Sequence, residues 1–213
     1  DGTGLSGKVA VIPASDMSGG VNLSVTDYSV VTATAGTRFG IYNASTPDMD
    51  GDGYAELIVS SPDKSIGGVE NIGSVYVING DVAMGGGNAQ DISQTIIEGT
   101  HECGNLMAPD IGGDFDGDGV PDFVVSQIND ASTFCTPILD PYSKSFVFLG
   151  ADMTTGTISS EDAISKFVSR NLGDQLGATG TAIDMNMDGK DDIALGAAMY
   201  EDGDGYVLFF LSN

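Results

Sequence analysis

Asp48-Met49-Asp50-Gly51-Asp52-Gly53-Tyr54-Ala55-Glu56 runs directly into Leu57-Ile58-Val59-Ser60-Ser61-Pro62, an acidic loop followed at once by an apolar run. The same order of residues returns twice. Asp114-Phe-Asp-Gly-Asp-Gly-Val-Pro-Asp122 precedes Phe123-Val-Val-Ser126, and Asp184-Met-Asn-Met-Asp-Gly-Lys-Asp-Asp192 precedes Ile193-Ala-Leu-Gly196. The first aspartates stand 66 and then 70 residues apart. Self-similarity at such a period is the mark of a repeat architecture.

Outward from each loop a second apolar run follows: Gly73-Ser-Val-Tyr-Val-Ile78, Lys144-Ser-Phe-Val-Phe-Leu149 and Gly205-Tyr-Val-Leu-Phe-Phe-Leu211. A fourth copy, Gly7-Lys-Val-Ala-Val-Ile12, stands alone near the N-terminus, with a further strand expected over about Asp27–Thr34. These runs are short, β-branched or aromatic, and bounded by Gly, Asn, Asp or Pro, as strands are. Helical periodicity is weak throughout; its best candidate, Glu161 to Ser169, reads equally well as an outer strand. The expected class is all-β. The longest apolar run, Val207 to Leu211, suits a buried strand and falls far short of the ~20 residues that cross a bilayer.

The loop spacing D-x-[DN]-x-D-G-x-x-[DE] has a chemical reading. Alternate residues of a tight loop aim inward, so positions 1, 3 and 5 offer three oxygens to one cation. Glycine at position 6 permits the turn, the carbonyl of position 7 adds an oxygen, and position 9 closes the shell. The candidate ligands are therefore Asp48, Asp50, Asp52, Tyr54 (carbonyl) and Glu56; Asp114, Asp116, Asp118, Val120 (carbonyl) and Asp122; and Asp184, Asn186, Asp188, Lys190 (carbonyl) and Asp192. So many hard oxygens suit Ca²⁺ better than octahedral Mg²⁺ or the N- and S-preferring Zn²⁺, and about three structural Ca²⁺ ions are expected. An EF-hand is excluded, because it needs a bidentate Glu at position 12, where this chain has Val59, Val125 and Leu195. Dockerin-type and thrombospondin-type loops follow one another far more closely. Plain Asp-Gly surface turns account for one such loop, but not for three in register that each feed a matching strand.

The charge agrees: 31 Asp+Glu against 7 Lys+Arg give a formal −24, which three divalent ions would bring to −18. Such a chain repels phosphate backbones and anionic lipid, so neither nucleic-acid binding nor membrane insertion is expected. No catalysis is expected either. His101 is the lone histidine, reads as a surface or turn residue, and no nucleophile elbow accompanies it. Cys103 and Cys135 are the two cysteines, and a loop-pinning disulfide is set against two free thiols. Asn22 and Asn43 fit the N-glycosylation pattern, and Asp202-Gly-Asp-Gly205 reads as a tight turn rather than a fourth metal site. The chain begins at Asp1 without a signal peptide, as a processed or excised form would.

Taken together these motifs resemble FG-GAP repeats, found in integrin α-subunit β-propellers and microbial surface proteins. The resemblance rests on the acidic loops, on Phe39-Gly40 and Leu176-Gly177 as repeat heads, with Asn105-Leu106 in the second, and on Leu57–Pro62 and Gly196-Ala-Ala198 as GAP-like strands, where the second repeat has Ser126-Gln-Ile128. It implies a β-propeller-like array of four-stranded blades, about three blades' worth, divided as 1–38 (the second half of a blade), 39–104, 105–174 and a partial repeat at 175–213. It implies an extracellular, calcium-binding, non-catalytic protein of adhesion or recognition, with an extracellular protein or glycan, or itself, as partner. Incomplete terminal blades suggest self-association; a filament or sheath subunit polymerised by strand exchange, closure within the chain, and a fragment of a larger or polysaccharide-active surface protein are the alternatives.

Overall fold

In the computed structural model the described residues are 7–13, 28–128, 142–199 and 204–212. Strands form where β-branched and aromatic runs lie between Gly- and Asp-rich turns. They are β1 (Lys8–Val11), β2 (Ser29–Thr32), β3 (Asn43–Thr46), β4 (Glu56–Ser61), β5 (Ser74–Asn79), β6 (Gly87–Asn88), β7 (Thr95–Glu98), β8 (Leu106–Met107), β9 (Gly112–Gly113), β10 (Asp122–Gln127), β11 (Lys144–Phe148), β12 (Gly156–Ser159), β13 (Ser165–Val168), β14 (Leu176–Ile183), β15 (Asp192–Ala197) and β16 (Tyr206–Phe210). Two short helices, α1 (Gly80–Gly85) and α2 (Ala89–Ile92), interrupt the pattern, and no helical periodicity announces either. Asn79 and Asn88 cap them by accepting from the amides of Asp81 and Gln90.

The strands form four sheets: I (β1-β2-β6), II (β3-β4-β5-β7-β12), III (β8-β10-β11-β13, with β9 also on β10) and IV (β14-β15-β16). The protein is all-β. Strand alternation sends neighbouring residues of one strand to opposite faces, so each inner sheet is buried on both sides. On β4, Val59 joins a core with Val31, Phe39, Tyr76 and Ile78, between sheets I and II. Its neighbour Ile58 joins another with Val75, Val77, Phe123, Val125, Phe146 and Phe148, between II and III. Val124 and Val147 face the other way, into a third core with Leu176, Ile193, Leu195 and Phe210, between III and IV. The four sheets thus stack in chain order.

Three expectations are corrected. Sheet II is not four-stranded: β12, from the β11–β13 connection, pairs parallel with its outer strand β7. In the same way β6, from the β5–β7 connection, pairs parallel with β2 of sheet I. These crossing strands tie sheet II to sheet I and sheet III to sheet II. Secondly, the head of the second repeat is displaced by one residue. Arg38, Asn105 and Gln175 share a left-handed backbone (φ 50°, 51° and 54°), and each is followed by a buried Phe39, Leu106 or Leu176. Leu106-Met107, not Asn105-Leu106, therefore stands where Phe39-Gly40 stands. The left-handed residue serves a contact: Arg38 pairs with the carboxylate of Asp63, which also accepts from Asn105 Nδ2 at 3.1 Å. Thirdly, the run Val207–Leu211 is a strand but not a buried one, with Val207 and Phe209 at 55% and 56% exposure.

The serine that replaces the glycine of the GAP-like strand has a structural task. Ser60 Oγ, fully buried, accepts from the buried amide of Ala108 at 2.7 Å and so links sheet II to the approach of sheet III. Ser60→Ala should orphan that amide and cost about 1–3 kcal/mol, read as a lower midpoint in urea unfolding. An unchanged midpoint contradicts the linking role.

Cys103 is disulfide-bonded, while Cys135, Asn22, Asp202 and Gly203 lie outside the described residues. Asn43 is exposed on β3.

Candidate metal centres

Each acidic loop ends on the first residue of a six-residue strand: Glu56 on β4, Asp122 on β10 and Asp192 on β15. The ninth position is therefore anchored in the core while positions 1–7 project from it. All three are buried, at 1%, 1% and 2% exposure.

The loops share one internal wiring. Asp48 accepts from the amides of Gly51 (2.7 Å) and Gly53 (2.8 Å), and Asp114 from Gly117 (2.7 Å) and Gly119 (3.0 Å). Asp184 accepts from Asp188 (3.1 Å) and Gly189 (2.9 Å). The position 3 side chains, Asp50, Asp116 and Asn186, accept from the amide of position 5 in each loop. The position 5 carboxylates, Asp52, Asp118 and Asp188, accept from the amides of Tyr54, Val120 and Lys190. Position 9 folds back on the loop's second residue: Glu56 accepts from Met49 (2.8 Å), Asp122 from Phe115 (2.7 Å) and Asp192 from Met185 (2.9 Å). Glycines 53, 119 and 189, at φ 95°, 87° and 94°, take the backbone where a side chain would be strained.

Of the expected ligands, Asp48, Asp50 and Glu56 in the first loop, and Asp114, Asp116 and Asp118 in the second, bring carboxylate oxygens within 4.8 Å of one another. In the first loop Asp52 is drawn aside: its Oδ2 accepts from Asn79 Nδ2 at 2.6 Å, as Asp50 Oδ2 does at 3.2 Å. In the third loop Asn186 Nδ2 donates to Asp188 at 2.8 Å. Tyr54, Val120 and Lys190 follow the glycines of position 6 and turn their amides to the carboxylates of position 5.

Electrostatics mark the same positions. Burial raises the Glu56 carboxyl above its usual range, with the charge of Asp50 adding to it. Its Oε1 is buried without a hydrogen-bond partner. Burial also pushes Asp122 from 3.8 to about 6, against hydrogen bonds from the Gly150 and Phe115 amides and with the charges of Asp116 and Asp114. At Asp192 burial pushes upward too, but hydrogen bonds from Met185 and from the Ser212 amide and hydroxyl outweigh it and hold the carboxyl low. Crowded carboxylates and an orphaned buried oxygen fit a hard cation, which would satisfy both at once.

Sequence reading missed the residues that brace these loops. Asn79, the last residue of β5, and Gly150 and Ser212, just beyond β11 and β16, each reach back to an acidic loop. Asp191 joins two loops: its Oδ2 accepts from Asp114 N at 2.9 Å and its amide donates to Asp114 O at 2.8 Å. His101, half-buried, contacts Thr100 Oγ1 at 2.8 Å and Lys144 Nζ at 3.4 Å.

Comparison with known families finds two matching segments. The model of the FG-GAP repeat matches residues 40–78 and 176–210, which hold the first and third loops with their flanking strands. No curated protein matches the chain. The second loop falls outside the matched segments yet repeats the hydrogen bonds of the first loop at positions 1, 3, 5 and 9. The two matched segments, each an acidic loop with its flanking strands, are FG-GAP repeats.

Proposed function

We propose that this chain is a non-catalytic, calcium-stabilised β-repeat module of propeller type that acts outside the cell in adhesion or recognition. One observation carries the metal reading: acidic side chains converge in the first two loops, and Glu56 Oε1 is buried with no partner. Calcium would join positions 1–5 of each loop to the strand that begins at position 9, fixing the connection between two strands of one sheet. Its task is structural, because the carboxylates stand in the shell itself and leave no general base beside it. The FG-GAP repeats support an extracellular setting, and among the described residues no helix is long and apolar enough to cross a membrane. Proteins or glycans are the expected partners.

Terbium replaces calcium at oxygen sites and is excited through a nearby tyrosine. Tyr54 stands at position 7 of the first loop. Tyrosine-sensitised emission should appear on adding Tb³⁺ to the metal-free protein, fall on titration with Ca²⁺, and be lost in Asp48→Ala. Emission that Ca²⁺ does not displace contradicts a calcium site there. For the recognition reading, retention on immobilised glycans or matrix proteins should vanish in chelator; no retention in calcium contradicts it.

A second reading, a structural subunit that polymerises through its terminal sheets, is favoured by sheet IV. It has three strands among the described residues and exposes Val207 and Phe209.

A further inference from the structure

We infer that the second and third acidic loops take up calcium as one cooperative pair, clasped together by Asp191, while the first loop binds alone. The inference rests on the calcium reading above and adds a linkage between its sites.

The clasp grips one residue by its amide and its carbonyl together. Asp191 Oδ2 accepts from the amide of Asp114 at 2.9 Å, and the Asp191 amide donates to the carbonyl of Asp114 at 2.8 Å. Asp114 is the expected position 1 ligand of the second loop, and its carboxylate in turn accepts from Gly117 and Gly119. The approach is close. A Cβ added at Gly113, the residue before Asp114, would stand 2.7 Å from Asp191 Oδ2, so a side chain there would push the two loops apart. Lys190 makes a further contact: its stem lies along Gly117, where an added Cβ would stand 3.1 Å from Lys190 Cγ and 3.3 Å from its Cε. Positions 7 and 8 of the third loop thus both lie on the second.

The other two loops are not equipped to repeat this. Position 8 is Ala55 in the first and Pro121 in the second. Neither side chain accepts a hydrogen bond, and proline has no amide to donate. The second loop therefore cannot hold the first as the third holds the second.

Linkage follows from where Asp191 stands in its own loop. Its chain neighbours, Lys190 and Asp192, are the expected ligands of positions 7 and 9 of the third site. An ion there would fix the backbone on both sides of Asp191, and with it the clasp on Asp114. The second loop then has less to order when its own ion arrives, and binds it more tightly. Coupling between two binding events is reciprocal, so an ion in the second loop favours the third by the same factor. Repulsion between the two ions opposes the linkage, and the carboxylate of Asp191 between the loops offsets it.

Calcium titration of the full chain with the first loop silenced by Asp48→Ala, by calorimetry or against a chromophoric chelator, tests the linkage. This background should bind two ions. Removing the third site by Asp188→Ala should weaken the second about tenfold, and removing the second by Asp116→Ala should weaken the third by the same factor. Asp191→Ala and Asp191→Pro introduce at position 8 the residue types that the other loops carry there, as Ala55 and Pro121, so the loop accommodates both. In either variant both sites should persist without the linkage, and Asp188→Ala should no longer change the affinity of the second. Asp191→Asn keeps an oxygen for the Asp114 amide and should keep most of the linkage. Hydrogen exchange supplies a readout without metal: protection of the Asp114 amide should fall in Asp191→Ala and hold in Asp191→Asn. A wild-type near-ultraviolet circular dichroism spectrum checks that each variant is folded. Two independent sites in the Asp48→Ala background overturn the inference, and so does a background that binds one ion alone. Linkage that survives both Asp191→Ala and Asp191→Pro, or that is lost as fully in Asp191→Asn, overturns it as well. Failure of the calcium reading is distinct, because then no ion binds to the wild type either.

Discussion

Chelation should lower the thermal midpoint of this protein by some tens of degrees, more than any single substitution. Without cations the first two loops hold three carboxylates each within 4.8 Å. Like charges at that separation repel by about 1 kcal/mol in water and several times more near a protein surface. Binding a cation to the folded state alone contributes about 2.7 kcal/mol per site at a free concentration of 100 Kd. Three such sites come to about 8 kcal/mol, which for a domain of this size corresponds to a shift of about 15–30 °C. Differential scanning calorimetry in calcium and in excess EGTA reads it directly. Midpoints that agree within a degree or two contradict the structural role of the ions.

Glu56→Gln should reverse sign with calcium. In chelator the wild type holds a buried carboxyl whose charged form burial disfavours, and whose Oε1 has no partner. The amide keeps an oxygen for the Met49 amide and removes the charge, so the variant should melt above wild type. In calcium the variant lacks the group that completes the first shell, and should forfeit about 2.7 kcal/mol at 100 Kd for that site. It should then melt several degrees below wild type. A variant that is less stable in both conditions, by equal amounts, contradicts the metal role of Glu56.

The same logic fixes the pH dependence. Asp122 titrates near 3.8 unfolded and at about 6 in the metal-free fold, so the folded state holds its proton more firmly. Its contribution to stability is therefore greatest below pH 4 and declines as pH rises to about 6, by roughly 3 kcal/mol. Glu56 acts in the same direction. Asp192 acts in the opposite one: its carboxyl is held low, so its contribution is lost as pH falls below 4. Because a cation competes with the protons on Asp122 and Glu56, the midpoint gained on adding calcium should widen between pH 4 and 6. A gain independent of pH over that window contradicts cation binding against these two carboxyls.

Much of the arrangement can be read from residue order, and the limits have physical causes. The loops and their flanking strands follow from local chemistry: carboxylates at alternate positions, glycine where φ is positive, and β-branched runs of period two. Strands β6 and β12 do not. Gly87-Asn88 carries little intrinsic strand character, Gly156-Thr-Ile-Ser159 is a short run headed by glycine, and both become strands by pairing with the edges of β2 and β7. Asn79 and Asp191 escape notice because they act across 27 and 77 residues. The head of the second repeat is misaligned by one because Arg38, Asn105 and Gln175 have no chemistry in common, only a backbone conformation. Val207–Leu211 reads as buried because its composition is that of a core strand, and composition does not record whether a sheet is covered on one face or on both; here Val207 and Phe209 stand on the uncovered face among the described residues.

Calcium held by three carboxylate loops is the claim on which the rest depends, and calorimetric titration of Ca²⁺ into the metal-free chain near pH 6 tests it most directly. Three ions should bind per chain, with protons released as Asp122 and Glu56 give them up. A titration without binding heat, in buffers of differing ionisation enthalpy, contradicts it.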